Sequence, residues 1–207
     1  SGDFFTQLGI PQPDVNLEVG SGTQAEQTGG IMTRYEKLLL EKRGFEVLLT
    51  RDKDVAIDLD DRAPMATKAK ADLFVSLHYN GGAAGDTTSA GIETYCLTPT
   101  GQHSTNKASG RADLTSEPGN RYDLFNLQLA FNVQRQLLAQ TGAEDRGIRR
   151  ARFAVLRTLT CPGILIEGGF VSSRVEGAQI ANAAYRQKLA QAIADGIADY
   201  ARLLRAK

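Results

Sequence analysis

The sequence predicts an α/β fold in which a twisted, mostly parallel sheet of about six strands is flanked by helices on both faces. Short apolar runs that are typical of buried strands alternate along the chain with amphipathic stretches of helical periodicity. This alternation favours parallel pairing, because each helix carries the chain back across a face of the sheet. A chain of 207 residues with 42% hydrophobic residues is also large and apolar enough to bury a core.

Six apolar runs are predicted to be strands. They are Val15–Val19, Phe45–Thr50, Leu73–Leu77, Gly91–Leu97, Phe153–Leu156 and Gly163–Glu167. The predicted helices are Ile31–Arg43, which ends at Gly44, then one that Asp60 or Asp61 caps with Pro64 near its first turn, then Tyr122–Gln140 and Ala184–Arg205. We expect an irregular lead-in over residues 1–14, one domain over 15–207, and a long polar loop at Thr98–Arg121.

Composition argues against several classes of protein. The 24 Lys and Arg residues balance the 24 Asp and Glu residues, so nothing in the composition indicates a basic nucleic-acid groove. No apolar run approaches the ~20 residues that cross a bilayer, and no signal peptide is recognisable. Two cysteines, Cys96 and Cys161, are too few for a disulfide scaffold and leave one disulfide and two buried thiols as alternatives.

Two polar residues stand at the carboxyl ends of predicted strands, where α/β sheets bind their ligands. His78 ends the run LFVSL, so its imidazole is placed to bind a metal or to move protons; a structural histidine is the alternative. Glu167 ends GILIE, and partial desolvation after four apolar residues raises a carboxylate pKa into a range that suits acid–base catalysis. The alternative for Glu167 is a carboxylate that accepts hydrogen bonds from the following loop amides.

Three further features carry weaker signals. His103 lies in the polar segment TGQHSTN and is predicted to be a solvated loop residue. The run Arg146–Arg157 is typical of an anion site or, slightly favoured, of the solvated margin of a half-buried strand. Gly20–Gly22 after LEV resembles the glycine-rich turn of S-adenosylmethionine-dependent methyltransferases, with Asp52 in range to hold a ribose.

Several segments together resemble the zinc-dependent N-acetylmuramoyl-L-alanine amidases that cleave peptidoglycan. In chain order they are GFEVLLTRD (44–52), ADLFVSLHYN (71–80), GIETYCLTP (91–99), RGIRRARFAVLR (146–157), CPGILIEGGFVSS (161–173) and YRQKLAQAIADGIADY (185–200). Their order and spacing agree over roughly residues 15–200, whereas the methyltransferase interpretation explains one turn. The resemblance implies a twisted, mostly parallel sheet and a zinc cofactor. It also implies hydrolysis of the amide between the lactyl group of N-acetylmuramic acid and L-alanine. The implied partner is peptidoglycan, in the periplasm, in the cell envelope or outside the cell.

The resemblance also implies roles for individual residues. The family holds zinc with a His after the first strand, a Glu that opens the first helix and a His after a central strand, and a late Glu activates the zinc-bound water. His78 matches the second His, and Glu167 matches the catalytic Glu. Ser21 stands where the first His is expected, and Glu26 is the candidate for the ligand Glu.

The serine at this position leaves three alternatives, because a hydroxyl is a poor zinc ligand at neutral pH. The site is rebuilt with other ligands, or the domain binds peptidoglycan without cleaving it, or the sequence is altered around residues 3–30. We expect a peptidoglycan amidase in which Glu167 is the general base and acid. Arg51 and Asn80 are the candidates for groups that bind substrate or support the site.

Overall fold

The structure is a computed structural model that describes residues 36–52, 55–106 and 112–205. Its strands are β1 (Phe74–Asn80), β2 (Ile92–Leu97), β3 (Asp145–Ala151) and β4 (Gly163–Phe170). Its helices are α1 (Leu59–Lys68), α2 (Asp123–Thr141), α3 (Ala154–Arg157), α4 (Arg174–Ala181) and α5 (Ala183–Arg205). Residues 36–41 are also helical, and Pro118–Tyr122 form a 3₁₀ turn before α2. None of the helices in these ranges is long and apolar enough to cross a membrane.

The four strands form one sheet in the order β1-β4-β2-β3. β1 pairs with β4 and β2 pairs with β3 in parallel, while β2 and β4 are antiparallel. The antiparallel pair brings the carboxyl ends of β1 and β4 to the same edge of the sheet as the amino ends of β2 and β3. We call this edge the site edge.

Apolar side chains cover both faces of the sheet. On one face Cys96 and Ile166 pack against α2 and α5 through Val133 and Ile193, in a single buried cluster. On the other face Tyr95, Leu97 and Leu165 pack against α1 and α3. Successive residues of a strand point to opposite faces, so the apolar strands serve both layers. The predicted α/β class with helices on both faces is confirmed.

The two cysteines are free thiols in this fold. Cys96 belongs to the cluster beneath α2 and α5, and Cys161 belongs to the cluster on the other face of the sheet. Burial raises the pKa of Cys96 to about 12 and that of Cys161 to about 11, so both thiols stay protonated at neutral pH. Of the two alternatives, the buried thiols are therefore the correct one.

Three predicted strands are confirmed with shifted ends. Leu73–Leu77 corresponds to β1, Gly91–Leu97 to β2, and Gly163–Glu167 to β4. β1 and β4 both continue three residues past the predicted ends, so His78 and Glu167 lie inside strands rather than at their carboxyl ends.

Other predicted strands differ from the structure. Phe153–Leu156 was predicted as a strand but is largely the one-turn helix α3, because a short apolar run has no period that separates the two conformations. Phe45–Thr50 was predicted as a strand from its apolar run. Its residues alternate in exposure, with Phe45 and Val47 packed on the core, yet the segment has no ladder partner among the described residues. The prediction of about six strands is therefore corrected to four in the described ranges, and Val15–Val19 lies outside them.

The helices follow the predicted periodicity closely, apart from their first turns. Gly44, with φ of +82°, ends the helical residues 36–41 through a Schellman motif, in which the Phe45 N–H bonds to the Leu40 carbonyl at 3.1 Å. The N-cap of α1 is Asp58 rather than the predicted Asp60 or Asp61, and the helix begins at Leu59. Pro64 therefore lies inside α1 rather than near its first turn. β3 and α4 were not predicted as separate elements, and the predicted lead-in over residues 1–14 lies outside the described residues.

Candidate active site

A row of three polar residues crosses the sheet at the site edge. His78 of β1 is directly opposite Glu167 of β4, and Glu167 is directly opposite Glu93 of β2. Residues in register on neighbouring strands point to the same face of the sheet. The imidazole and the two carboxylates therefore project side by side, on the face that α1 and α3 cover further down.

Glu167 is held in a partly desolvated position. Its side chain is half-buried, and its Oε2 atom is buried without a hydrogen-bond partner among the described residues. Burial raises the pKa of Glu167 to about 7, and the charge of Glu93 contributes in the same direction. A carboxyl group with this pKa can both accept and donate a proton near neutral pH.

His78 is held as a neutral imidazole. Its Nε2 atom lies 2.8 Å from Ser76 Oγ, two residues earlier on the same face of β1. Burial lowers the pKa of His78, and the positive charges of Arg62 and Arg51 lower it further. A neutral imidazole is the form that binds a metal ion.

Glu93 is the residue of the row that the sequence analysis missed. Its side chain is only 3% exposed, and its carboxylate accepts hydrogen bonds from an arginine and a tyrosine. Arg146 Nε donates to its Oε1 at 2.5 Å, and the Tyr95 hydroxyl donates to its Oε2. Arg149 lies 3.7 Å from the same carboxylate. A charged residue inside the otherwise buried strand GIETYCL was the signal that could have identified it.

A bulge in β3 turns Arg146 towards the row. Ile92 pairs with Asp145 and Thr94 pairs with Ile148, so Arg146 and Gly147 together oppose Glu93. The Arg146 guanidinium also lies over the ring of Phe170, with 5.0 Å between the guanidinium carbon and the ring centroid. The wall beside Glu167 is therefore built from β2, β3 and the end of β4.

The remaining predicted residues occupy different positions. Arg51 is exposed and donates to the Val55 carbonyl at 3.0 Å, and its charge reaches His78. Asn80 is half-buried at the end of β1 in register with Phe170. His103 is exposed, as expected for a solvated loop residue.

The Arg-rich run is engaged mainly by protein groups. Arg152 pairs with Asp113 at 3.1 Å, Arg157 lies 3.7 Å from Asp60, and Arg149 donates to the Thr105 carbonyl at 3.2 Å. Together with the Arg146–Glu93 pair, these contacts favour the predicted half-buried strand margin. Buried side-chain nitrogens of Arg149, Arg152 and Arg157 nevertheless have no hydrogen-bond partner among the described residues.

A catalytic zinc site has three protein ligands and an open fourth position. In the part of the chain that the structure describes, no three His, Cys, Asp or Glu residues lie close enough together to hold a metal. His78 is the one described imidazole in the row, while Ser21 and Glu26 lie outside the described residues. The described residues do not by themselves make a three-ligand zinc site.

Comparisons with known proteins agree with this architecture. The family profile Amidase_3, described as N-acetylmuramoyl-L-alanine amidase, matches residues 18–199. The catalytic domain of CwlV, an N-acetylmuramoyl-L-alanine amidase from Bacillus (Paenibacillus) polymyxa, has a TM-score of 0.67 and 28% identity, and covers 89% of this chain and 91% of that domain.

Two curated relatives give the same family. N-acetylmuramoyl-L-alanine amidase LytC from Bacillus subtilis is 30% identical over 185 residues, which are 89% of this chain and 32% of LytC. N-acetylmuramoyl-L-alanine amidase AmiA from Escherichia coli is 29% identical over 207 aligned residues, which cover 87% of this chain and 69% of AmiA. The chain thus spans about a third of the length of LytC. With a family profile that covers most of its length, the chain belongs to the N-acetylmuramoyl-L-alanine amidase family.

Proposed function

We propose that this chain is the hydrolase domain of a peptidoglycan amidase, which cleaves the amide between the lactyl group of N-acetylmuramic acid and L-alanine of the stem peptide. The observation that carries the proposal is the position of Glu167. Its partly desolvated carboxylate lies directly opposite a neutral imidazole, with one buried oxygen that has no hydrogen-bond partner in the described ranges. By the sequence resemblance, His78 in this chain's SLHYN corresponds to the family's second His ligand, and Glu167 in LIEGGF corresponds to its catalytic Glu.

Glu167 is the general base and then the general acid of this proposal. Its carboxylate takes a proton from the attacking water, whose oxygen forms a bond to the lactyl carbonyl carbon. The bond from that carbon to the alanine nitrogen then breaks, and Glu167 returns the proton to the leaving amine. A pKa of about 7 suits both steps at neutral pH. Arg51 and Asn80 are the proposed substrate contacts near the row.

Membership of the amidase family supports zinc as the cofactor of the proposed enzyme. His78 is the proposed nitrogen ligand, and Glu26 is the proposed oxygen ligand. Because Ser21 occupies the position of a further His ligand, we propose that this chain holds zinc weakly and that its hydrolysis depends on zinc in the buffer.

This proposal predicts the metal content of the purified protein. After exchange into zinc-containing buffer and desalting, the wild-type chain should retain well below one zinc per chain by elemental analysis. Ser21→His should raise retained zinc to about one per chain, because it supplies the missing imidazole. Adding His78→Ala to Ser21→His should remove the metal again, and adding the exposed-loop change His103→Ala should not. Stoichiometric zinc in the wild type would contradict weak binding.

A second function is a peptidoglycan-binding domain without hydrolysis. The presence of Ser21, where the resemblance expects a His ligand, favours it. In that case the site edge binds the glycan-peptide strand, and Glu167 has no catalytic role. Sedimentation with insoluble peptidoglycan, measured beside stem-peptide release, separates the two functions, since a binding domain cosediments without releasing peptide.

The proposed site of action is peptidoglycan in the cell envelope or outside the cell.

The test of the proposed function is incubation of the chain with purified peptidoglycan, with and without added zinc. Hydrolysis exposes a free amino group on L-alanine, which amine labelling and mass spectrometry detect. Failure to release peptide in the presence of zinc would contradict the amidase proposal.

A further inference from the structure

Glu176 joins the two strand ends beside the row of polar residues. Its side chain is buried, with the residue 5% exposed. One carboxylate oxygen accepts from the Gly91 N–H at 2.8 Å, and the other accepts from the Phe170 N–H at 2.8 Å. Gly91 immediately precedes β2, and Phe170 ends β4. One side chain therefore bridges the two strands that carry Glu93 and Glu167.

The local sequence predicts a different role for this carboxylate. Ser173 and Glu176 have the S-x-x-E spacing of a capping box at the start of α4, and Ser173 Oγ accepts from the Glu176 N–H at 3.4 Å. In a complete capping box the glutamate would turn back to the Ser173 N–H. That N–H instead bonds to the Phe170 carbonyl at 3.2 Å, and the Glu176 carboxylate extends across to β2 and β4.

The bridge begins where the β2–β4 ladder ends. The antiparallel register runs from Tyr95 opposite Leu165 to Glu93 opposite Glu167, which is its last pair. Beyond that pair, Gly169 adopts a φ of +120°, and a Cβ placed on it would lie 3.2 Å from Glu176 Oε2. The carboxylate thus lies beyond the last ladder pair and satisfies one backbone N–H group of each strand end.

The bridge also supports the wall beside Glu167. It fixes the backbone of Phe170, whose ring lies under the Arg146 guanidinium, and Arg146 is the residue that pairs with Glu93. A shift of the Phe170 backbone would therefore move the partner of Glu93 as well as the turn that follows Glu167.

We infer that Glu176 is a positioning residue, whose bridge between Gly91 and Phe170 sets the separation of β2 and β4 and so the placement of the Glu167 carboxylate. Its effect on catalysis rests on the proposed amidase function, whereas its effect on the geometry of Glu167 does not. Both can be measured on the full chain.

The test compares Glu176→Gln with Asp195→Asn. The glutamine keeps the size of the side chain but presents an NH₂ group to one of the two N–H donors. Asp195 is a comparable carboxylate on α5, bonded to Arg43, Gln140 and Gln191, and it has no contact with the row. Glu176→Asp is the second variant, since it keeps the charge but is one methylene too short to reach both strands.

Three readouts are expected to change together in Glu176→Gln. Hydrogen exchange at the Gly91 and Phe170 amides should become faster, while the ladder amides of β2 stay protected. The NMR resonance of the Glu167 side-chain carboxyl carbon should shift. The rate of stem-peptide release at saturating peptidoglycan should fall roughly 10–100-fold with little change in KM. Asp195→Asn should change none of these, even if its melting temperature falls equally.

Each outcome is decisive. An unchanged Glu167 resonance in both Glu176 variants, despite faster exchange at Gly91 and Phe170, would make the bridge purely structural and overturn the inference. A shifted resonance with an unchanged release rate would also overturn its role in catalysis. If the wild type releases no peptide, the proposed function fails, and the Glu167 resonance alone still decides whether Glu176 positions this residue.

Discussion

Replacing Glu167 with glutamine is expected to lower the rate of stem-peptide release by roughly 10²–10⁴-fold. Glutamine keeps the shape of the side chain but cannot accept the proton of the attacking water. The fold should tolerate the change, because burial already disfavours the charged carboxylate, as its raised pKa of about 7 shows. Initial rates on purified peptidoglycan, measured by labelling of new amino groups, give the comparison.

The matched control for this variant is Glu144→Gln. Glu144 is an exposed carboxylate next to the start of β3, and it undergoes the same chemical change. It should release peptide at the wild-type rate. Wild-type activity in Glu167→Gln, with the protein folded and cosedimenting with peptidoglycan, would remove Glu167 from the mechanism and require another proton acceptor.

Gly196→Ala is expected to destabilise the fold by about 1–3 kcal/mol, although alanine is normally the better helix former by about 1 kcal/mol. Gly196 lies where α5 contacts α2, and a Cβ at this position would lie 2.5 Å from Val133 Cα and 2.9 Å from its backbone nitrogen. These are backbone atoms, so no side-chain rotation relieves the overlap. The two helices must move apart, which loosens the apolar layer between them.

Urea denaturation measures this effect as a lower midpoint at an unchanged slope. Gly81→Ala is the control, since a Cβ there meets no atom within 4 Å. Its stability should stay within about 0.5 kcal/mol of the wild type. Equal stability of Gly196→Ala and the wild type would show that α2 and α5 pack less closely than described.

The sequence predicted the parts of the fold in which local pattern and tertiary structure agree. The long helices α2 and α5 have apolar residues at helical spacing, and Gly44 is a clear C-terminal signal for the helix before it. β4 begins with the apolar run GILI and β1 begins with FVSL, in which one serine interrupts the run, and both patterns are typical of strands covered by helices. His78 and Glu167 could be selected because each follows such a run.

Other elements could not be predicted, because their conformation depends on contacts with residues that are distant in the sequence. β3 contains three arginines, and it is a strand because it pairs with β2 and because Arg146 and Arg149 find Glu93 across the sheet. The alternation of strands and helices likewise does not reveal that β2 lies beside β4 and runs antiparallel to it. This antiparallel pairing of β2 with β4 places Glu93 beside Glu167.

The hydrogen bonds of Glu176 likewise could not be predicted from the local sequence. Its spacing from Ser173 correctly signals a helix start, but the two N–H groups that it binds lie 85 and 6 residues away along the chain. A pattern within four residues contains no information about Gly91. The contribution of Ser21 and Glu26 remains a prediction of the sequence, since both lie outside the described residues.

The most direct test of the central claim is the chemical identity of what the wild-type chain releases from peptidoglycan in zinc-containing buffer. We expect stem peptides with a new free amino group on L-alanine, together with glycan strands that keep their lactyl groups, as identified by mass spectrometry. Cosedimentation with peptidoglycan without any new alanine amino group would contradict hydrolysis and identify the chain as a binding domain.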